Sequence, residues 1–361
     1  MSTKRRRRKT HYSGIGGQAV LEGVMMKNKE DYAIACRKED GTIDVDVKIY
    51  HSVVPSETIR KIPFVRGVIS FIDSLILGMR AINHSALFYE EEEEETVVDR
   101  AADKVTNGKG EKLMLGITTV IALAIAVGLF ILLPYFISVK LNEYIRNDSL
   151  LAIIEGGVRI VIFLGYIIGI SAMKDIRRLY RYHGAEHKCI NCVEKGYPLT
   201  VENVMRSSRF HRRCGTSFLV FVILISVVLF FFIRVESPLY RVLIRLALVP
   251  VIAGISYEFI RLAGKGDNFL VSLISAPGLL LQRVTTKEPD EEMAEVAIRS
   301  VEAVFDWKKF LMEEFPEEYG DGIEEDSYGE TPGEKTVSGD EKLEELEAIV
   351  DTTQEAKEND G

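Results

Sequence analysis

LMLGITTVIALAIAVGLFILLPYFISV, residues 113–139, is the stretch that decides the fold. It carries no charged side chain, and it exceeds the roughly 20 helical residues that cross a bilayer core of about 30 Å. Residues 151–173, 217–233 and 239–260 have the same character, although the second carries Glu155 and Arg159 and the fourth carries Arg241, Arg245 and Glu258. These charges lie near the span ends and are expected to snorkel or pair. Glu258 is close enough to the cytosolic end of its span to approach the histidine cluster described below. A fifth apolar run, 269–281, is too short for a comfortable crossing and contains Pro277-Gly278, so it reads as re-entrant or interfacial. A purely soluble chain is excluded. The expected fold class is a mainly α membrane protein with about four transmembrane helices, an interfacial helix and a small N-terminal β unit.

Outward from the spans, charge is segregated, so the net −9 over 361 residues describes no single region. Residues 4–9 are Lys or Arg, residues 90–95 are all Glu, and the chain is strongly acidic from Glu313 onward. Residues 1–13 are expected as a disordered basic tail, 90–112 as an acidic linker and 316–361 as a disordered acidic tail. Four cysteines make no disulfide framework, which points to a reducing compartment. The basic start is not followed by an apolar stretch, so no cleavable secretory signal is expected.

Residues 14–62 form the β-rich unit. Ile43, Val45, Val47 and Ile49 alternate with Asp44, Asp46 and Lys48, and with 32–37 they predict a hairpin across Lys38-Glu39-Asp40-Gly41. Gly16-Gly17-Gln18 reads as a backbone turn with Glu22 nearby. Residues 63–89 predict a helix with Arg66, Ser70, Asp73, Arg80 and His84 on one face, lying in the membrane interface. The membrane domain runs over 113–284. An amphipathic cytosolic helix follows over 285–315, starting at Glu288-Pro289, with Met293, Val296, Ala297, Val301, Val304 and Phe305 as its apolar stripe. Loop 174–216 holds most of the inter-span Lys and Arg, whereas 140–150 and 234–238 hold few. A multi-pass membrane protein with both termini and loop 174–216 in the cytosol is therefore expected.

The chemistry concentrates in that basic loop. It holds His183, His187 and His211 of the chain's six histidines. In Tyr182-His183-Gly184-Ala185-Glu186-His187-Lys188 a helix puts the two imidazoles one turn apart on one face, with Glu186 turned to a similar side. Such spacing builds helix-borne metal sites. The order His-x-x-Glu-His also matches the inverted zinc-peptidase motif. His211 and Cys214, two residues apart and followed by Gly215, form a second pair. His183, His187, His211 and Cys214 are the expected metal ligands, for zinc or alternatively iron, and Glu186 is the expected general base. Cys189 and Cys192 are read as helix-packing residues.

Four stretches resemble one bacterial integral-membrane family, domain of unknown function 1385, also called YqhQ-like. They are Gly16-Gly17-Gln18-Ala19-Val20-Leu21-Glu22-Gly23-Val24-Met25-Met26, the Tyr182–Lys188 motif, His211 with Cys214-Gly215-Thr216-Ser217-Phe218, and Gln282-Arg283-Val284-Thr285-Thr286-Lys287-Glu288-Pro289. The resemblance runs from about Gly14 to about Leu311. It implies a metal-dependent enzyme of unspecified reaction and supports a metal role for His183, Glu186, His187, His211 and Cys214. Arg213 stands where the resemblance implies proline, and Cys189 and Cys192 where it implies small residues.

The expected function is a hydrolase using a metal-activated water at the cytosolic membrane face. Its expected partners are the bilayer, anionic headgroups and a lipid-linked or peptide substrate, with no nucleic acid. Four protein ligands would instead close the coordination shell and make the metal structural, which suits a non-enzymatic scaffold or adaptor. A transporter fits less well, because no internal repeat is visible.

Overall fold

A computed structural model describes residues 10–88, 110–145, 147–233, 235, 237–263 and 269–320 of the chain. The basic run at 4–9, the glutamate run at 90–95 and the tail from 321 lie outside the described residues. The chain opens with four antiparallel strands in a meander: β1 (Gly16–Val20), β2 (Gly23–Asn28), β3 (Asp31–Arg37) and β4 (Ile43–Ile49), ordered β1-β2-β3-β4. The expected hairpin is β3–β4. The glycine-rich stretch expected as a turn is strand β1 instead, with Gly17 paired to Met26. The turn falls two residues after Ala19, at Leu21-Glu22, and Glu22 takes a positive φ of 48°.

Period-two alternation gives the sheet two buried faces. Val20, Met25, Tyr32, Ile34 and Cys36 pack with Leu77 and Ala81 of the helix that follows. Val24, Met26, Ala33 and Ala35 are buried on the other face. The helices α1 (Glu57–Lys61) and α2 (Val65–Ala86) come next.

The first span begins in α3 (Gly110–Val127), passes a π-helical turn at Gly128–Leu132, and ends in α4 (Leu133–Leu141). Residues 110–112, expected in the linker, already belong to α3. Then come α5 (Asp148–Ile170), α6 (Lys174–Glu194), α7 (Val201–Arg206), α8 (Gly215–Phe232), α9 (Pro238–Ala247), α10 (Val249–Ala263) and α11 (Phe269–Thr285). Among the described residues four helical stretches are long and apolar enough to cross a membrane: Val120–Leu141, Ser149–Ile170, Gly215–Phe232 and Leu239–Ala263. The fourth is broken between α9 and α10, where Pro250 has no N–H to donate and its ring crowds the preceding turn. The short fifth run becomes α11, which continues through Pro277 to Thr285.

The chain closes with α12 (Glu291–Glu302), α13 (Trp307–Glu314) and α14 (Pro316–Tyr319). Helix α12 starts later than Glu288-Pro289, because Asp290 caps it by accepting the N–H of Met293. It lies on β2, β3 and α6, and Ser300 donates to the Ala33 carbonyl at 3.1 Å. Residues at both described ends of the chain are held in place, although they were expected in the disordered tails. The His11 N–H donates to the Glu194 carbonyl at 2.9 Å, and Tyr319 donates to the Gly196 carbonyl at 2.9 Å.

The charges inside the spans pair rather than snorkel. Glu155 of α5 binds Arg159 at 2.9 Å and Arg245 of α9 at 2.7 and 2.9 Å, all three buried by protein alone. Arg159 also donates to the Phe130 carbonyl at 3.0 Å, inside the π-helical turn. That turn breaks the regular i→i−4 ladder and leaves a carbonyl for the guanidinium. Both arginines stack on Phe230, at 4.9 and 5.1 Å. Two guanidiniums against one carboxylate make Glu155 indispensable. Glu155→Gln should cost about 3–5 kcal/mol, because it leaves buried cations uncompensated. Thermal unfolding in detergent should show the loss, with much of it recovered when Arg159 and Arg245 are also replaced by leucine.

Candidate metal centre

Helix α6 carries the site. It begins after a break at Ser171–Met173, close to the end of the second span, and its second half is buried nearly throughout. His183 and His187 lie one turn apart with ring centroids 4.3 Å apart. Each imidazole is oriented by a backbone carbonyl. His183 Nδ1 lies 2.9 Å from the Thr285 carbonyl, and His187 Nδ1 lies 2.7 Å from the Arg209 carbonyl. A carbonyl only accepts, so each Nδ1 bears a proton and the Nε2 of each ring is the atom turned toward the site. The Nε2 of His183 is 3.1 Å from Cys214 Sγ. The Nε2 of His187 is buried and has no hydrogen-bond partner among the described residues. One ligating atom from each of His183, His187 and Cys214 lies within 4.8 Å of the other two.

Cys214 is the N-cap of α8, and its sulfur accepts the Thr216 N–H at 3.3 Å. Burial alone would raise its thiol, yet the imidazoles of His183 and His187 outweigh burial and hold it well below the usual thiol range. Burial would lower His183, but the thiolate opposite pushes it up to about 9. Thiolate and neutral imidazole nitrogen are the donor forms that zinc and iron take. Two imidazoles held at Nδ1 by carbonyls and one thiolate therefore fit such an ion, with His183 giving up its Nε2 proton on binding. Carbonyl bonding at the distal nitrogen is the usual outer support of a ligating histidine.

Two expected site residues stand apart from this trio. His211 is next to His187, with ring centroids 5.5 Å apart, but its Nε2 faces Glu194 at 3.7 Å. Its backbone is fixed from both sides by Gln282, which accepts the His211 N–H at 2.9 Å and donates to the His211 carbonyl at 2.7 Å. Burial lowers the His211 imidazole. Glu186 is buried beside the histidines and accepts the Gly17 backbone N–H, while its Oε2 has no hydrogen-bond partner among the described residues. Burial pushes its carboxyl up. Glu258 does not approach the cluster; it pairs with Arg66 of α2. Cys189 and Cys192 are buried in α6, where burial raises both thiols, Cys192 to about 12.

Several residues that spacing alone does not reveal build the frame. Glu22 binds Arg178 in a two-pronged ion pair and accepts the Tyr182 hydroxyl at 3.0 Å, which locks the β1–β2 turn onto α6. Lys188 donates to the carbonyls of Met205 and Ser207, and Asn191 to those of Ser208 and Phe210, so the segment after α7 is tied down residue by residue. Glu194 receives Arg213 together with the N–H and hydroxyl of Ser13. Burial would raise its carboxyl, but His211, Arg213 and Ser13 outweigh burial and hold it below the usual range. The signal for Glu22 and Gln282 was their place inside the quoted stretches around Gly17 and Thr285. Lys188 closes the quoted Tyr182–Lys188 motif, whereas Asn191 and Glu194 lie outside every quoted stretch.

The strap after α11 passes Gly184 so closely that an added Cβ would sit 1.9 Å from the Lys287 carbonyl oxygen. The Lys287 N–H is held by the Tyr180 carbonyl at 2.9 Å, so the strap cannot simply move aside. Gly184→Ala should destabilise the protein by about 2–3 kcal/mol through overpacking. A smaller shift in thermal unfolding than Gly157→Ala produces, where a Cβ meets nothing within 4 Å, would contradict this packing.

The family described as "Protein of unknown function (DUF1385)" matches residues 62–307. The chain is also similar to "Uncharacterized protein YqhQ" of Bacillus subtilis (strain 168), 37% identical over 287 residues, which cover 79% of this chain and 90% of the relative. No solved structure matches the chain.

Proposed function

The chain belongs to the DUF1385 family, whose description names no reaction, and from that premise we propose that it is a metal-dependent integral membrane enzyme, a hydrolase working at the cytosolic membrane face. The observation that carries this reading is the convergence of three donors, His183, His187 and Cys214, while His211 is turned toward Glu194. A fully closed protein shell of four ligands would favour a structural ion. Three ligands are the hallmark of zinc sites that keep a position for substrate or water.

His183, His187 and Cys214 would hold the ion, preferably zinc. Bound there, the ion would supply Lewis acidity toward a water or a substrate oxygen. The role of Glu186 is to take up and return a proton. Its free Oε2 and buried setting suit a carboxylate poised nearer neutrality than an exposed one. The Gly17 N–H holds the carboxylate in orientation. Thr285 and Arg209 keep both imidazoles in one tautomer. A bacterial inner-membrane location with both termini and the site on the cytosolic side is supported by the arginine-rich stretch between the second and third spans. A lipid-linked or peptide substrate suits a site at the ends of the spans.

The 3.1 Å contact between Cys214 Sγ and His183 Nε2 also favours a second reading, a thiolate nucleophile working without metal. Elemental analysis of the purified full-length protein separates the two. Zinc or iron is expected at about one ion per chain, lost in His183→Ala, His187→Ala and Cys214→Ala, and retained in His211→Ala and Glu186→Gln. Folded protein that carries no metal, or three ligand variants that all keep it, would overturn the metal reading.

A further inference from the structure

Helix α2 presents three faces, and among the described residues only two of them are covered. Along the sheet side, Leu77, Ala81 and Ser85 are buried, and Gly78 lies against the Gln18 amide. The polar residues of this side are used up by the β unit. Asp73 accepts the Tyr50 hydroxyl at 3.0 Å, the Ser52 hydroxyl at 2.6 Å and the Val53 N–H at 2.9 Å. Arg80 stacks over Tyr50, His84 lies 3.3 Å from Asp46, and Ser85 accepts the Leu21 N–H at 3.2 Å. On a second side the first turns of α2 meet the spans. Gly67 packs against Gly254 and Tyr257 of α10, and Phe71 meets Phe218 of α8 with ring centroids 5.3 Å apart.

The third side is Val65, Ile72, Leu75, Met79 and Ile82, a stripe at helical spacing whose members are 40–53% exposed. It starts at the end of α2 that touches the spans. The same helix is fixed to a soluble-type sheet from Asp73 to Ser85, its last turns. Crossing the bilayer would carry the hydrogen-bonded polar groups of Tyr50, Ser52, Asp73 and Asp46 into hydrocarbon. Lying along the surface buries the stripe and leaves the sheet in water.

We propose that α2 is an in-plane membrane anchor, with its Ile72–Ile82 stripe seated in the lipid interface and the β sheet riding on its polar side. The occupant of the stripe is the bilayer itself. The anchor also bears on the metal centre through a single strand. In β1 the alternation of side chains puts Gln18 on Gly78 of α2 and, one residue away, Gly17 on Glu186 of α6. A lipid-seated α2 therefore fixes the centre at headgroup depth, within reach of a lipid-borne group. This placement does not rest on the metal reading, and its test involves no metal ion.

The full-length protein, reconstituted in vesicles of phosphatidylcholine and phosphatidylglycerol, tests it. Single cysteines replacing Ile72, Leu75, Met79 and Ile82, with Val47 of β4 as control, would carry an environment-sensitive fluorophore; the native cysteines are all buried. Quenching would be compared for lipid nitroxides near the headgroup, lipid nitroxides near the bilayer centre, and aqueous iodide. Expected is at least about twofold stronger quenching by the shallow nitroxide at all four stripe positions, with Val47 reached by iodide alone. Depth that changes steadily from position 72 to 82 would mean a crossing helix. Protection from both lipid and iodide would mean a second copy on the stripe. Free access of iodide would mean a surface in water. Any of these three results overturns the proposal.

Discussion

A helix whose second half is buried nearly throughout and nevertheless carries His183, Glu186, His187, Lys188, Asn191 and Glu194 imposes the constraint on which the rest depends. Buried donors and acceptors must be satisfied, at a cost of about 1–3 kcal/mol for each that is not. Little of that satisfaction comes from other helices side by side. It comes from helix ends, a strand and loops: the carbonyls of Met205, Ser207, Ser208, Arg209 and Phe210, the carbonyl of Thr285, the N–H of Gly17 and the side chain of Ser13. The strand, the strap and the loop before α8 are thus held by one polar helix face. Among the described residues, two buried atoms on that face stay without a hydrogen bond, His187 Nε2 and Glu186 Oε2, and both lie at the proposed chemistry. Polar atoms left open in an otherwise satisfied network are where a ligand is expected.

The membrane half obeys the same rule by different means. In hydrocarbon no water is available to Glu155, Arg159 and Arg245, so each must find its partners within the bundle. They do so with one another, with a carbonyl released in the first span and with the ring faces of Phe230 and Tyr135. Small residues set how closely helices approach: Gly67 on Gly254, and Gly278 on Ser217.

The spans were legible because twenty or so apolar residues have few alternatives. The β3–β4 hairpin was legible because Ile43 to Ile49 alternate cleanly. The strand over Gly16–Val20 was not, since glycines weaken strand propensity and the reason for them lies in three dimensions: at Gly17, a Cβ would strike the Met25 carbonyl and approach the Glu186 side chain. For the site, one-turn spacing announced His183 and His187, while Cys214 was paired with His211 only by proximity in sequence. The structure separates that pair because Gln282, 71 residues downstream, grips the His211 backbone and leaves the ring aimed at Glu194. No local pattern encodes such a long-range clamp. The break at Leu248 was written in Pro250, but it was masked by unbroken hydropathy on either side.

The π-helical turn at Gly128–Leu132 amounts to one extra residue wound into an otherwise α-helical span. Each residue of an α-helix advances the side chains by about 100°. Deleting one residue from this turn would restore even winding, rotate one half of the helix against the other by that angle, and withdraw the carbonyl that Arg159 grips. The first span is therefore a fixed screw setting, in which the lipid-facing side of one half is compatible with that of the other only while the additional residue is kept.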